Sequence, residues 1–204
     1  MKKTKLILLL LPVAAAAVAL LPTPIPFAGA EVPVTKIKAS GSKPAQVEVA
    51  GVRLPQQAHV ADTPLVLNGT ALRTKFGFKV YVAGLYLKEA CNDCDKIMSR
   101  DRASKRVHIT MMREIKANKF KEAVCSNIDA NFSGTEKRKY ASEISAFLSC
   151  FPDGSSLAKN ARVDIDFLPG EGTRVLINDR PAEIIPGDDF YHVLLRLWIG
   201  KPLQ

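Results

Sequence analysis

The chain has 204 residues, of which 29 are Lys or Arg and 20 are Asp or Glu, a formal net charge of +9. The basic residues are scattered rather than striped and no nucleic-acid recognition motif accompanies them, which excludes a nucleic-acid partner. Past the first thirty residues no apolar run is long enough to span a bilayer, and what remains is sufficient for one domain with a real core.

Residues 1–30 read as a signal peptide. Lys2, Lys3 and Lys5 form a positive start, "LILLLLPVAAAAVALL" an apolar centre, and Ala28-Gly29-Ala30 a small-x-small cleavage site. An uncleaved anchor is the alternative, but Pro12, Pro22, Pro24 and Pro26 break or crowd the apolar run. The expected compartment is periplasmic or extracellular, with no stable membrane insertion after cleavage. Residues 31–45 carry no period and read as a flexible tether, so the folded domain spans 46–204.

From Gln46 the pattern is extended. "QVEVAG", "VRLPQQAHV" and "TPLVLNG" are short strands separated by turn residues, with Pro55 and Pro64 pointing to edges or bends. The segment "FGFKVYVAGLYL" is rich in β-branched and aromatic residues and predicts a central strand, with Gly84 marking a bulge or a close backbone approach. A short helix follows in "NDCDKIMSRDRA", which Asn92 or Asp93 can cap. In "RVHITMMREI", Val107, Ile109 and Met111 alternate with His108, Thr110 and Met112, a strand covered on both sides.

Two helices come next. Phe120, Val124, Ile128 and Phe132 recur every fourth residue, and Tyr140, Ile144, Phe147, Leu148 and Phe151 form a second stripe beyond Gly134. "ARVDIDFLPGEGTRVLINDRPAEII" is a β-meander turned at "PGEG" and at Asn178-Asp179. "PGDDFYHVLLRLWIG" is a final helix with Asp188 and Asp189 favouring its positive end, Gly200 as its C-cap and Pro202 blocking continuation. Hairpin-linked strands outnumber helices. The predicted class is therefore α+β: an antiparallel sheet with helices packed on one face, an open-faced sandwich.

Cys91, Cys94, Cys125 and Cys150 all fall beyond the leader, and an even count in an exported chain predicts disulfides. Three pairings are open. Cys125–Cys150 needs crossed rather than antiparallel helices, Cys94 with a helix cysteine is a further option, and a redox role for "CNDC" is the alternative to a structural bond. His59, His108 and His192 show no metal-ligand spacing, and no phosphate loop, dinucleotide fingerprint or hydrolase triad is present, so neither metal nor cofactor is expected.

The motifs "LNGTALRTKFGFKVYVAGLYL", "FLPGEGTRVLIN" and "PGDDFYHVLLRLWIGKPL", in that order, resemble the chalcone isomerase-like family, and most of all its exported bacterial branch. The similarity covers residues 52–203. It implies a ligand cleft between the sheet and its helices. In the plant enzymes of that family an arginine steadies developing negative charge while a threonine and a tyrosine act through water on a ketone. An asparagine and a second threonine hold the far end of the substrate. Matched residue by residue, these roles fall on Arg73, Tyr81, Phe120, Asn127 and Leu197 respectively. Other members are inactive and bind fatty acids, the arginine holding the carboxylate.

Phe120 has no hydroxyl to orient water, and Leu197 makes its end of the cleft apolar. The loss of one such donor lowers a rate on the order of a hundredfold or more. The resemblance therefore implies a non-catalytic binding protein for a small apolar, fatty-acid-like carboxylate, with Arg73 as anchor and Tyr81 and Asn127 as further polar contacts. Pairing of Arg73 with Asp62, Asp164 or Asp166 is the structural alternative. The functional alternative is a chalcone isomerase-like intramolecular lyase or isomerase acting on an enone or carbonyl compound, with Arg73, Tyr81 and Asn127 as its catalytic candidates.

Overall fold

The computed structural model describes residues 45–199. The leader, the tether up to residue 44, Gly200 and Pro202 lie outside the described residues. Strands β1 (Gln46–Val49), β2 (Val52–Pro55), β3 (Gln57–Val60), β4 (Thr63–Lys75) and β5 (Phe78–Leu87) lead into the short helix α1 (Cys94–Ile97) and strand β6 (Lys105–Met111). Strand β7 (Ile115–Lys116) precedes helices α2 (Ala117–Asn131), α3 (Gly134–Lys139) and α4 (Ala141–Ser149). Strands β8 (Ser156–Leu157), β9 (Arg162–Leu168), β10 (Gly172–Ile177) and β11 (Arg180–Pro186) and helix α5 (Asp188–Ile199) complete the domain.

Seven strands form one antiparallel sheet in the order β11-β10-β9-β6-β5-β4-β3. The inward face of its centre is the apolar half of each alternating strand. Val107, Ile109 and Met111 of β6 and Val163, Ile165 and Phe167 of β9 are all fully or almost fully buried. Over this face lie α2, α4 and α5. The stripe Phe120, Val124, Ile128 and Phe132 is buried as its fourfold spacing requires, and nine of the twelve residues of α5 are buried. The fold is thus the α+β arrangement of a curled antiparallel sheet with helices on one face.

The structure departs from the sequence expectation in four respects. First, the helix expected from Thr135 to Phe151 is two: α3, closed by a capping box between Ser133 and Glu136, and α4, separated by Tyr140 at φ −106°, ψ 24°. Second, the bulges sit elsewhere than Gly84. Asn68 drops out of register on β4, and its amide exchanges hydrogen bonds with the backbone of Cys91 at 2.7 and 3.0 Å. Val80 drops out on β5. Gly84 serves close approach instead: a Cβ there would meet Leu67, Tyr86 and Leu54 side-chain carbons at 3.1–3.3 Å.

Third, the second face of the sheet is not simply open. Leu54 of the β1–β2 hairpin is fully buried, and Tyr86 donates to the Pro55 carbonyl at 2.8 Å. Beside them runs a cross-strand polar ladder between β6 and β9, Arg106 facing Asp166 and His108 facing Asp164. Asp166 is fully buried and held by Arg106 at 2.6 Å and Arg174 at 2.7 Å. His108 spans Asp164 at 2.7 Å and Thr110 at 2.9 Å. Sequence spacing hid this cluster because 56 residues separate His108 from Asp164.

Fourth, the four cysteines are free thiols. The Cys91 thiol donates to the Asp93 carbonyl at 3.6 Å, and the Cys150 thiol to that of Ala146 at 3.5 Å. Asp93 caps α1, as one of its two expected caps. Burial pushes the Cys150 thiol up to about 11 and raises that of Cys125, so neither is an activated nucleophile.

Candidate functional site

The β4–β5 hairpin builds the polar corner of a cleft. Arg73 and Tyr81 are cross-strand partners, and Met111 of β6 is the next partner of Tyr81. All three sit on the helix-covered face. The bulge at Val80 has a direct consequence here. In a regular strand consecutive side chains point to opposite faces, but with one residue out of register Val80 and Tyr81 both line the same cavity.

Helix α2 supplies the facing wall. Phe120, Val124 and Asn127 stand at positions i, i+4 and i+7, one side of the helix, and all border the cavity. Leu197 and Trp198 of α5 close it. The space has a volume of about 380 Å³, within the roughly 300–1,000 Å³ range of small-molecule sites. Arg73, Tyr81, Phe120, Asn127 and Leu197, far apart in sequence, are therefore neighbours around one hollow.

The lining is mostly apolar and its charges are of one sign. Arg73, Lys75, Arg113 and Lys119 border the cleft, and among the described residues no Asp or Glu does. Asp164 and Asp166, two of the three sequence candidates for pairing with Arg73, belong to the ladder on the other face, bound to His108, Arg106 and Arg174, and the third, Asp62, is exposed beside a different hollow. Lys119 is shared with Glu122 at 2.8 Å on the outer side of α2.

Burial pushes the Tyr81 phenol up to about 12, against the opposing pull of the Arg73 charge and the Trp198 side-chain hydrogen bond. At neutral pH Tyr81 is consequently a protonated hydrogen-bond donor and not a base. The Oδ1 of Asn127 is buried with no partner among the described residues. A buried amide oxygen costs free energy unless a donor meets it, and Asn127 therefore presents an unmet acceptor beside the cleft. Phe120 packs on Phe151 with ring centroids 4.6 Å apart and brings no polar atom.

The sequence did not indicate Trp198, which reads as a core anchor from its position alone, nor the cations Lys75, Arg113 and Lys119. Each comes from a different turn or helix start, and only the folding of β4, β6 and α2 around one space collects them. Among the described residues no group of three or more His, Cys, Asp or Glu could hold a metal ion, and no helix is long and apolar enough to cross a membrane.

Comparison with known proteins agrees with this architecture. The family model for chalcone isomerase-like proteins matches residues 46–204. No curated protein matches the chain. Among solved structures it is similar to the crystal structure of the Arabidopsis thaliana fatty-acid binding protein AtFAP1. The identity is 18%, the TM-score 0.58, and the match covers 77% of this chain and 90% of that one. A likeness at that identity establishes the shared fold. From the family match across nearly the whole described domain, and the sheet-and-helix architecture that carries the cleft, the chain belongs to the chalcone isomerase-like family.

Proposed function

We propose that this protein is an exported, non-catalytic binder of a small apolar carboxylate, of the exported bacterial kind within its family. The observation that carries the reading is the charge pattern of the cleft: an apolar hollow of about 380 Å³ bordered by four cations and, among the described residues, no carboxylate. An acid with a hydrocarbon or aromatic body satisfies both features at once. Its carboxylate meets the planar fork of the Arg73 guanidinium, with the Tyr81 hydroxyl and the Asn127 Nδ2 amide group as further donors. Its apolar body lies against Val80, Phe120, Val124 and Leu197.

The same geometry weighs against isomerase chemistry. Phe120 and Leu197 stand where the plant enzymes carry hydroxyls, so two of the polar groups that act on or hold the substrate there are missing. That the solved neighbour is a fatty-acid binding protein supports the same direction.

The test is extraction of purified protein with organic solvent followed by mass spectrometry, and titration with a series of straight-chain acids. Affinity should rise about threefold to fourfold for each added methylene until the cavity is full, then level off. Arg73→Ala should empty the protein of acid. An unchanged acid content in that variant, or no dependence on chain length, discards the reading. Cleavage after Ala30 in the protein recovered from the producing cell checks the exported part.

A further inference from the structure

The mouth of the cleft carries a second feature that ligand binding alone does not explain. Lys75 pairs with Phe78, so β4 and β5 are joined by a two-residue turn, Phe76-Gly77, with φ of +50° and +76°. This is the turn for which Asn-Gly or Asp-Gly is favoured, because both central residues must occupy left-handed backbone space. Phenylalanine is a strained choice at its first position, and here the ring is left mostly in solvent. Phe76 is 74% exposed and Phe78 is 62% exposed, the two most exposed large apolar side chains of the described residues. Exposed aromatic pairs on a strained tip are costly to keep unless a surface covers them.

The charges around the tip specify the surface. The turn reads Lys75-Phe76-Gly77-Phe78-Lys79, all exposed. Lys75 lies over the Phe76 ring at 5.7 Å and Arg113 over the Phe78 ring at 5.1 Å. Exposed Lys116 and Lys119 follow on the neighbouring wall; the nearby acids are Glu114 and Glu122, the latter paired with Lys119. Two aromatic rings set in a basic collar match the interface of an anionic bilayer, where aromatic side chains settle at headgroup depth and lysines and arginines meet the lipid charge.

We propose that the β4–β5 tip is a membrane-docking element. It seats the open end of the cleft against an anionic lipid surface, with Phe76 and Phe78 entering the headgroup region. The docking step stands on the tip alone. What passes through the mouth, an apolar acid moving between bilayer and cleft without crossing bulk water, rests on the binding function proposed above.

The experiment is flotation of the purified protein, free of added acid, with vesicles of phosphatidylcholine alone or containing about one third phosphatidylglycerol. Wild type should float with the anionic vesicles and be released as salt is raised past the screening range. Phe76→Asn suits the turn, so the fold is retained, and that variant and Phe78→Ser should each lower partitioning about tenfold or more. Circular dichroism melting of each variant separates lost docking from lost folding. Equal flotation of wild type and the Phe76→Asn, Phe78→Ser double variant overturns the proposal. So does a wild type that stays off every vesicle, the outcome expected if the tip serves a protein partner. An empty organic extract would instead sink the ligand reading and leave the docking result untouched.

Discussion

Substitution of His192 tests the electrostatics of the core. The imidazole sits on α5, 4% exposed, edge-on to Phe167 with ring centroids 4.8 Å apart. Its Nδ1 has no partner among the described residues. Across the packing interface is Lys105, itself buried and held by the carbonyls of Ile97 and Ser99 at 3.0 Å each and by Asp101 at 2.8 Å. Burial, and then the Lys105 charge, lower the His192 pKa from 6.5 to about 4. Between those two values the unfolded chain binds a proton that the folded chain refuses, so stability falls as the pH falls.

Integrating the linkage from about pH 7 to about pH 5 gives a loss of about 2 kcal/mol from this one group. The window lies above the range where Asp164 and Glu136, whose pKa values are lowered in the fold, begin to lose their contributions. His192→Leu removes both the titration and an unpartnered buried nitrogen. Urea unfolding, followed by fluorescence of Trp198, the chain's single tryptophan, should show a pH 7 to pH 5 loss that is smaller in the variant by about 2 kcal/mol. Equal losses in the two proteins refute the reasoning, since they would mean that His192 takes its proton within the fold as readily as outside it.

Asp166→Asn leaves Arg106 and Arg174 without their shared buried carboxylate and should cost about 3–5 kcal/mol in urea unfolding; a loss below about 1 kcal/mol would show that both guanidinium groups find water instead. Tyr81→Phe removes a donor that burial keeps protonated and should weaken acid binding about tenfold with little change in melting temperature; calorimetric titration of the two proteins checks it, and equal affinities would place the carboxylate away from Tyr81. Gly172 has φ +127°, and a Cβ there would run into the Ile185 carbonyl oxygen. Gly172→Ala should therefore destabilise by about 2 kcal/mol or more by thermal melting, and a neutral result would mean that β11 yields.

Alternation in "RVHITM" and "RVDIDFL" fixed which residues of β6 and β9 enter the core, because a strand presents successive side chains to opposite faces wherever it lies. The fourfold recurrence from Phe120 to Phe132 fixed the buried side of α2 in the same way. These are local rules, and β6, β9 and α2 follow them without knowledge of any neighbour. Asn178-Asp179 announced its turn for the same reason, both residues adopting positive φ.

What lay beyond the local pattern came from contacts distant in sequence. The bulge at Val80 depends on how β5 registers with β4, and it alone lets Val80 and Tyr81 share a cavity. The four thiols had the right number for bonds, but number is not proximity. The Asp164–His108–Thr110 cluster and the cationic border of the cleft bring together side chains from separate strands and helices, and no spacing in one chain reveals such a meeting. Sequence decided the elements and their buried faces, since these obey the short-range geometry of the backbone. Only the packed structure decided the cleft, its one-signed charge and its aromatic lip, because these are properties of the space between elements.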